Sequence, residues 1–289
     1  MKLYNVYVPI TATPYRNTDD YTEILPCDEL RPHIRCFWGS KGETIHYTGD
    51  ERQTGIVTPD TCVDVIFNVS YTDNKIVSSF CGINDETFIT SSKYSHAERN
   101  STFAVRFYAW SAILFADESM KGTKNQFIDA GILFDGFKEK MEKHLFETKS
   151  LEERSKIAEE YLIKRLCPQR ENSLFMRAVK KMITENGNLR VLELATDLHI
   201  SSRQMERIFL ENMGVTPKKA ADLIRYQCLW QEICLKGNFN IFDAVYKYGY
   251  TDQAHLLNDF RKKHSMSMKA AVCYARNDEF LQERPAIIL

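Results

Sequence analysis

The C-terminal third of the chain contains one sequence pattern twice. Residues 191–214 and residues 241–265 each read as a short amphipathic helix, a tight turn, and a longer helix with apolar residues on one side only. That order of elements is a helix-turn-helix, whose second helix reads base edges in the major groove of DNA. The alternative is an ordinary helical bundle, which the matching turn, cap and core positions of the two segments disfavour. We therefore predict an all-α C-terminal domain with two helix-turn-helix units.

The predicted reading helix of the first unit has a charged outward face. Arg203, Glu206 and Arg207 are spaced i, i+3 and i+4, which places them side by side on a helix. Arginine presents a fork of donors that matches the acceptors of guanine, and Glu206 could accept from cytosine or hold Arg207 in place. Ser202 and Gln204 lie closer to the helix start, where we expect contacts with phosphates. Any single outward residue could also be a backbone contact only, since at least half of protein–DNA hydrogen bonds go to the backbone.

The predicted reading helix of the second unit carries neutral outward residues. Asp252 (or its neighbour Thr251) is expected to cap this helix, as Ser201 or Ser202 is expected to cap the first. Gln253 or Asn258 could pair with adenine, and Ala254 or Leu257 could touch a thymine methyl group.

A basic cluster near the end of the second reading helix suits DNA phosphates. It consists of Arg261, Lys262 and Lys263. Residues 172–276 contain 16 Lys or Arg against 10 Asp or Glu, a net charge of +6, while residues 1–171 have a net charge of −5. A basic module on an acidic remainder favours a nucleic-acid contact confined to one end.

A helical connector between the units has a length that suits DNA. It is predicted to run from Pro217 to Lys236, because proline is favoured in the first turn of a helix. Twenty helical residues extend about 30 Å, close to the roughly 34 Å of one turn of B-DNA. The connector could therefore place two reading helices in successive major grooves.

Residues 1–135 read mainly as short β-strands separated by turn signals. Alternating apolar residues, such as Val63, Val65 and Phe67, indicate strands with one buried face. This pattern predicts a β-rich sandwich or barrel-like domain, and the chain as a whole is then an α+β protein. The strand candidates are residues 3–10, 55–70, 75–83 and 100–110.

Residues 136–170 form a predicted helical linker. Apolar residues recur at helical spacing, and Ser150 with Glu153 forms a capping box that divides the linker into two helices. The apolar stripes could pack on their own domain or form the interface of a homodimer. Residues 171–276 then form the DNA-binding domain, and residues 277–289 a tail.

Four N-terminal residues are candidates for binding a small ligand. Asp60 and Asp64 share a strand face and could form a carboxylate pair, although Asp60 after proline also suits a turn. Arg106 could bind an anionic ligand inside the domain or be exposed on a half-buried strand. Trp38 could line a pocket or belong to the core.

Several classes of function are disfavoured by composition. None of the eight cysteines forms CxxC, and no histidine lies at zinc-ligand spacing, so we expect no metal, no cofactor and no catalytic residue. No apolar run approaches the roughly 18 residues of a membrane span, and the N-terminus does not read as a secretory signal. We expect a cytoplasmic protein without a membrane contact and without enzyme activity.

Residues 172–276 resemble the DNA-binding domain of AraC/XylS-type transcription regulators. The resemblance is dispersed along the whole range, at Leu194, Ala195, Ser201, Arg207, Phe209, Gly214, Pro217, Arg225, Ile241, Ala244, Gly249, Tyr250, Asp252, His255 and Phe260. It implies a bacterial-type regulator of double-stranded DNA whose N-terminal domain senses a signal or dimerises. It also implies that the base-facing positions are Arg203, Glu206, Arg207, Gln253, Ala254, Leu257 and Asn258.

The chain departs from that family at three positions in the second unit. Ser265 and Met268 stand where the family usually has glycine and proline, and Asn258 stands where arginine is common. Two alternatives remain open besides a regulator controlled by a small molecule. One is a regulator controlled by a protein partner, and the other is a DNA-binding module fused to a cysteine-dependent enzyme.

Overall fold

A computed structural model describes most of the chain and shows two differently built parts. It describes residues 2–10, 21–46, 54–91, 97–235 and 239–276, so the predicted tail lies outside the described residues. The N-terminal part, residues 2–170, is built on antiparallel sheets, and the C-terminal part, residues 171–276, contains helices. The predicted α+β fold, with a β-rich first part and an all-α second part, is confirmed.

The main sheet has seven antiparallel strands in the order β1-β2-β8-β5-β6-β9, with β3 also paired to β8. A separate two-stranded sheet joins β4 to β7. The strands are β1 Thr22–Ile24, β2 Ile34–Gly39, β3 Thr44–His46, β4 Thr54–Val57, β5 Cys62–Ser70, β6 Lys75–Cys81, β7 Phe88–Ser91, β8 Glu98–Tyr108 and β9 Phe127–Asp129.

Ten α-helices lie in the described part of the chain, seven of them in the C-terminal part. No helix among the described residues of the whole chain is both long and apolar enough to cross a membrane. The helices are α1 Leu3–Val6, α2 Gly131–Glu142, α3 Leu151–Arg165, α4 Ser173–Thr184, α5 Val191–Asp197, α6 Ser202–Met213, α7 Pro217–Leu235, α8 Ile241–Lys247, α9 Gln253–His264 and α10 Met268–Arg276.

The two faces of the main sheet have different chemistry, as the alternation in β5 predicts. Val63, Val65 and Phe67 are buried in the main apolar core. Asp64 and the other even-numbered residues of this strand point to the opposite face. The sheet thus offers one apolar face for packing and a second face on which polar residues lie beside a small apolar cluster of Ile66, Cys81 and Ala104. We call this second face the polar face.

The first strand candidate is wrong, because Leu3–Val6 forms a single helical turn. Tyr7 and Ile10, which follow this turn, contact distant parts of the chain and not a neighbouring strand. The Tyr7 hydroxyl is 3.0 Å from Thr61 Oγ1, and the backbone N–H of Ile10 donates to the side chain of Gln227 at 2.9 Å. Long-range side-chain contacts therefore fix this segment, and a local strand pattern could not reveal them.

Both helices of the linker pack on the N-terminal sheet. The break falls where predicted, since Ser150 Oγ accepts the backbone N–H of Glu153 at 3.2 Å and caps α3. The apolar stripe of α3 is used within the chain: Leu162 is fully buried, and Tyr161 lies 5.5 Å from Phe137, ring centroid to ring centroid. This packing fits the first of the two interpretations of the stripe.

Two apolar clusters divide the C-terminal part between them. The core of the first helix-turn-helix unit, including Met205 and Phe209, is continuous with the core of the N-terminal sheet. The second unit has its own cluster around Trp230 and Phe260, which Ile10 from the N-terminal part also joins. Helix α7 contributes buried residues to both clusters and so joins the two units.

Candidate nucleic-acid interface

The first unit consists of α5 and α6 joined by a tight turn. His199 in this turn has a φ of +55°, a left-handed conformation that reverses the chain between the helices. Ser201 caps α6, its Oγ accepting the backbone N–H of Gln204 at 3.1 Å. Of the two serines considered, Ser201 is therefore the cap, and Ser202 is the first residue of the helix.

The second unit, α8 and α9, repeats this arrangement with one more residue in the turn. Gly249 takes the left-handed position, with a φ of +67°. Asp252 caps α9, its Oδ1 accepting the backbone N–H of His255 at 2.7 Å. Thr251 is the additional turn residue, because the cap lies three residues after Gly249 but two residues after His199.

The predicted base-facing residues of the first unit lie on the exposed side of α6. Arg203, Glu206 and Arg207 are exposed, as is Ser202 at the helix start, while Gln204 is half-buried. The opposite side of the helix is buried in the core. Two guanidinium groups and one carboxylate therefore face outward from a helix fixed by its apolar side.

The predicted base-facing residues of the second unit lie on the equivalent side of α9. Ala254, Leu257 and Asn258 are exposed, and Gln253 is half-buried. The carboxylate of Asp252 is exposed but is used as the helix cap. These four positions offer amide and apolar groups, and their side chains carry no charge.

The basic cluster at the end of α9 is smaller than predicted. Arg261 and Lys262 are exposed and suit phosphates. Lys263 is buried, and its Nζ lies 2.6 Å from Asp259 Oδ1 and 3.1 Å from Asp222 Oδ1. Including Lys263 among the phosphate contacts was therefore wrong, because the i, i+4 carboxylate and the connector helix engage it.

Lys263 belongs to an ion-pair network that joins α7 to α9. Arg225 of α7 lies 2.9 Å from Asp222 and 4.7 Å above the ring of Tyr250, measured to its centroid. The Tyr250 hydroxyl donates to Asp259 at 2.7 Å. Lys263 and these neighbours lower the pKa of Asp259 although burial opposes this. In the sequence, Arg225 and Tyr250 are the two residues of this network that lie at positions of resemblance to the AraC/XylS family.

The four ligand-binding candidates lie together on the polar face of the N-terminal sheet. Arg106 Nε and Nη2 donate to the two carboxylate oxygens of Asp64 at 2.9 and 3.0 Å. The Trp38 indole N–H also donates to Asp64, at 2.9 Å, and its ring lies 5.3 Å from the guanidinium carbon. Asp60 is close enough for its charge to interact with Arg106 and Asp64. We call these four residues the charged cluster.

The structure decides between the alternatives that the sequence left open for Arg106 and Asp60. Arg106 is 3% exposed, so the alternative of an exposed strand arginine is wrong. Asp60 Oδ1 accepts the backbone N–H of Cys62 at 2.7 Å, which is the turn chemistry considered for it. Burial raises the pKa of Asp60 to about 7, with Arg106 opposing the shift. Asp60 can therefore gain or lose a proton near neutral pH.

Arg35 adds an unpaired donor close to the charged cluster. It occupies an irregularity in the pairing of β2 with β8, and its Nη2 lies 3.5 Å from Glu23. Its Nε is buried without a hydrogen-bond partner in the described structure. Sequence reasoning missed Arg35, because the shifted register that brings it here leaves no mark in the local pattern.

The cysteines nearest the charged cluster are poor nucleophiles. Burial raises the pKa of Cys36 and of Cys81 to about 12 and also raises that of Cys62. A reactive cysteine needs the opposite shift, since the thiolate is the nucleophile. Among the described residues, no three His, Cys, Asp or Glu side chains are grouped so as to hold a metal ion.

Comparisons with known proteins support the two-part organisation. Residues 22–129 match the family model "Domain of unknown function (DUF6597)", and residues 194–271 match the model "Helix-turn-helix domain". Comparison with curated proteins finds no match.

The solved structures found by the comparison include several of ToxT from Vibrio cholerae. One, solved at 1.65 Å resolution, has a TM-score of 0.41 and 12% identity, over 81% of this chain and 99% of that one. Another, with unsaturated fatty acid bound, has a TM-score of 0.41 and 10% identity, over 82% and 97%. These TM-scores are too low to transfer the ligand of that protein to this chain.

The two capped units and the connector helix give the C-terminal part the architecture of a helix-turn-helix domain. The matched helix-turn-helix model covers residues 194–271, which include all fifteen positions that carry the family resemblance. By these matches the chain contains a helix-turn-helix domain at residues 194–271 and a domain of unknown function at residues 22–129.

Proposed function

We propose that the protein is a cytoplasmic transcription regulator without enzyme activity, which reads two successive major-groove segments of double-stranded DNA. The observation that carries this proposal is the exposed outward face of both reading helices. Each helix has a capping residue at its start and packs its apolar side into the core. The outward residues are exposed: charged ones on α6, and amide and apolar ones on α9. Direct readout in the major groove needs this combination of a rigid helix and free side chains.

The roles of individual residues are part of this proposal. Arg203, Glu206 and Arg207 read one box, with Ser202 and Gln204 near phosphates. In the second box, Gln253, Ala254, Leu257 and Asn258 face the bases, with Asp252 at the helix start. Arg261 and Lys262 hold phosphates.

Selection of DNA from a random pool, at two salt concentrations, tests this function. Paired short boxes about one helical turn apart are expected, and repetition of the pair would indicate that a homodimer binds. Failure to enrich any sequence from the free protein, with only weak salt-sensitive binding, would contradict sequence-specific reading by the free protein.

We further propose that the N-terminal part senses a small polar effector at the charged cluster. Support comes from the buried Arg106–Asp64 pair, the unpaired Nε of Arg35, and a carboxyl of Asp60 with a pKa of about 7. Buried polar groups of this kind are typical of sites that orient a ligand. A homodimer of the N-terminal parts is compatible with this proposal.

A thermal-shift screen of small polar compounds tests the effector site. A compound that binds only the folded state must raise its stability, and Asp60→Asn, which keeps the oxygen that caps Cys62, should reduce the shift. A shift of the same size in wild type and variant would place the compound elsewhere. If no compound acts but a protein partner does, the input is that partner.

A further inference from the structure

The N-terminal part is packed against the DNA-binding units without covering their reading faces. Its contacts involve the connector helix α7 and the last turns of both reading helices. The outward residues Arg203, Arg207, Ala254 and Asn258 remain exposed. In this arrangement the N-terminal part does not compete with DNA for the proposed base-reading surface.

One of the contacting regions is formed by two loops, which we call the bracket. Residues 82–87 follow β6, and residues 120–126 precede β9. The backbone N–H of Asn125 donates to the carbonyl of Ile83 at 2.8 Å, and that of Gly82 to the carbonyl of Gln126 at 3.0 Å. The bracket is thus a single hydrogen-bonded unit, joined to the main sheet where β6 ends and β9 begins.

The bracket holds the first unit at the end of its reading helix. The backbone N–H of Met120 donates to the carbonyl of Glu211, in the last turn of α6, at 2.9 Å. This bond satisfies one of the carbonyls that a helix end leaves without a partner. Asp85 also lies 2.9 Å from the ammonium group of Lys219, at the start of α7.

The same bracket reaches the end of the second reading helix. The Thr87 hydroxyl donates to the carbonyl of Lys263, in the last turn of α9. The ends of both reading helices are therefore attached to one small unit of the N-terminal part.

A second contact, which we call the α7 contact, lies between the two units. Gln227 is completely buried, and its side chain accepts from the N–H of Ile10 and donates to the carbonyls of Ile10 and Pro59 at 3.0 and 2.6 Å. The side chain of Thr58 bonds the hydroxyl of Tyr226. Each of these bonds joins α7 to a segment more than 150 residues away in the chain.

The separation of the two apolar clusters gives these contacts a mechanical role. The core of unit one merges with the N-terminal core, whereas unit two has its own cluster and is attached through α7, Ile10 and Thr87. Without the bracket and the α7 contact, small bends of α7 would change the distance between the reading helices. Rigid positioning before binding lowers the entropic cost of binding.

We infer that the N-terminal part is a brace, which fixes the spacing of the two reading helices so that the protein selects DNA with one separation between its boxes. The effect on DNA rests on the proposed function, whereas the mechanical role can be measured without DNA. The bracket begins directly after Cys81, whose strand neighbour is Asp64, and the α7 contact includes the residue before Asp60. Both contacts thus begin next to the charged cluster, where an effector would act on them.

The test on DNA uses the full chain carrying Thr87→Val and Asp85→Asn together, with Glu86→Gln as a control at an exposed position in the same loop. Probes are the selected paired site, the same site with two base pairs inserted between the boxes, and a single box. We expect the double variant to bind the paired site about fivefold more weakly than wild type does. Inserting two base pairs should reduce its affinity by a smaller factor than in wild type. Its affinity for a single box should stay close to that of wild type. An unchanged insertion penalty, or tighter binding of the paired site, would overturn the brace.

A distance measurement separates failure of the brace from failure of the proposed function. Genetically encoded spin labels replace Glu193 and Asp243, which are exposed at equivalent positions of α5 and α8. A narrow distance distribution in the otherwise wild-type chain and a broader one in the double variant support the brace even if no DNA sequence is enriched. Equal distributions contradict it, whatever the DNA experiments show.

Discussion

The two helix-turn-helix units share one backbone plan and differ in the chemistry they present. Their reading helices both have 12 residues, and an offset of 51 places Met205 on Leu256 and Phe209 on Phe260, all buried. At the outward positions the same offset pairs Arg207 with Asn258 and Glu206 with Leu257. The buried positions preserve the fold of each unit, whereas the exposed positions are free to serve different bases.

Two residues with the same left-handed backbone conformation differ in the space around them, and this difference decides whether glycine is needed. Gly214 and Ser265 both end a reading helix with positive φ, at +76° and +59°. A Cβ on Gly214 would lie 2.7 Å from the carbonyl oxygen of Met120 in the bracket. Ser265 is exposed, so a side chain has room there. The departure from the family glycine at Ser265 is therefore compatible with the fold, and glycine is required at Gly214, where Met120 and Thr123 leave no space for a Cβ.

We expect the largest difference in stability between the units when alanine replaces the residue at these two helix ends. Gly214→Ala should destabilise the protein by about 2–4 kcal/mol, because left-handed strain adds to overlap with the bracket. Ser265→Ala should change stability by less than about 0.5 kcal/mol, and Ser265→Gly should stabilise by up to about 1 kcal/mol. Urea denaturation followed by tryptophan fluorescence measures all three, and equal costs for the two alanine variants would contradict this explanation.

Acid should weaken the second unit more than the first. His264 in α9 is equivalent to Met213 in α6, and burial lowers the pKa of His264 to about 4 from an unfolded value of 6.5. The unfolded chain takes up this proton first as the pH falls, so stability is fully present above pH 6.5 and is lost between pH 6.5 and about 4. The loss amounts to about 3 kcal/mol.

Hydrogen exchange in α9 and α6, measured across this pH range and corrected for intrinsic rates, tests that difference. The matched control is His264→Met, which installs the residue of the first unit and should flatten the pH dependence of α9. The same pH dependence in wild type and His264→Met would assign the effect to another group.

Reading of bases should depend more on the first unit. Arg207→Ala is expected to weaken specific binding by about 1–3 kcal/mol, as loss of a bidentate guanine contact does. Asn258→Ala, at the equivalent position, should cost about half as much, because hydrogen bonds without a charged partner are weaker. Affinities for the selected site and for an unrelated duplex measure both. An unchanged ratio of specific to unspecific affinity in Arg207→Ala would remove Arg207 as a base reader.

The smallest effect concerns the phosphate contacts of the second unit. Replacing Arg261 and Lys262 by alanine should weaken binding to all sequences about equally and reduce the slope of log affinity against log salt by about 2. The control removes the same charge from exposed positions of α3, with Lys156→Ala and Lys164→Ala. A salt slope equal to that of wild type in the Arg261 and Lys262 variant would contradict their role as phosphate contacts. A reduced slope in the control would contradict it as well.

Much of the C-terminal part follows from local chemistry and could be predicted. Caps at Ser201 and Asp252, the turn at Gly249 and the capping residue Ser150 depend on neighbours within a few residues. Helix periodicity places the buried and outward faces of α6 and α9 correctly for the same reason.

Local sequence patterns fail to predict the structure where distant segments decide it. The residues before Tyr7 form a helical turn because later contacts with Thr61 and Gln227 fix this segment. Arg106 is buried because β5 places Asp64 beside it, and Lys263 is buried because α7 supplies Asp222. Strand order and helix packing bring these partners together, and no window of the sequence contains both members of such a pair.

Changing the selected site one base pair at a time shows whether two units of different chemistry read two boxes. Affinity of the wild-type protein is measured for each altered duplex at one salt concentration. We predict losses of about 1–3 kcal/mol per base pair in the box read by the first unit and smaller losses in the other box, about one helical turn away. Losses spread evenly over the whole site, or absent at every position, would contradict it.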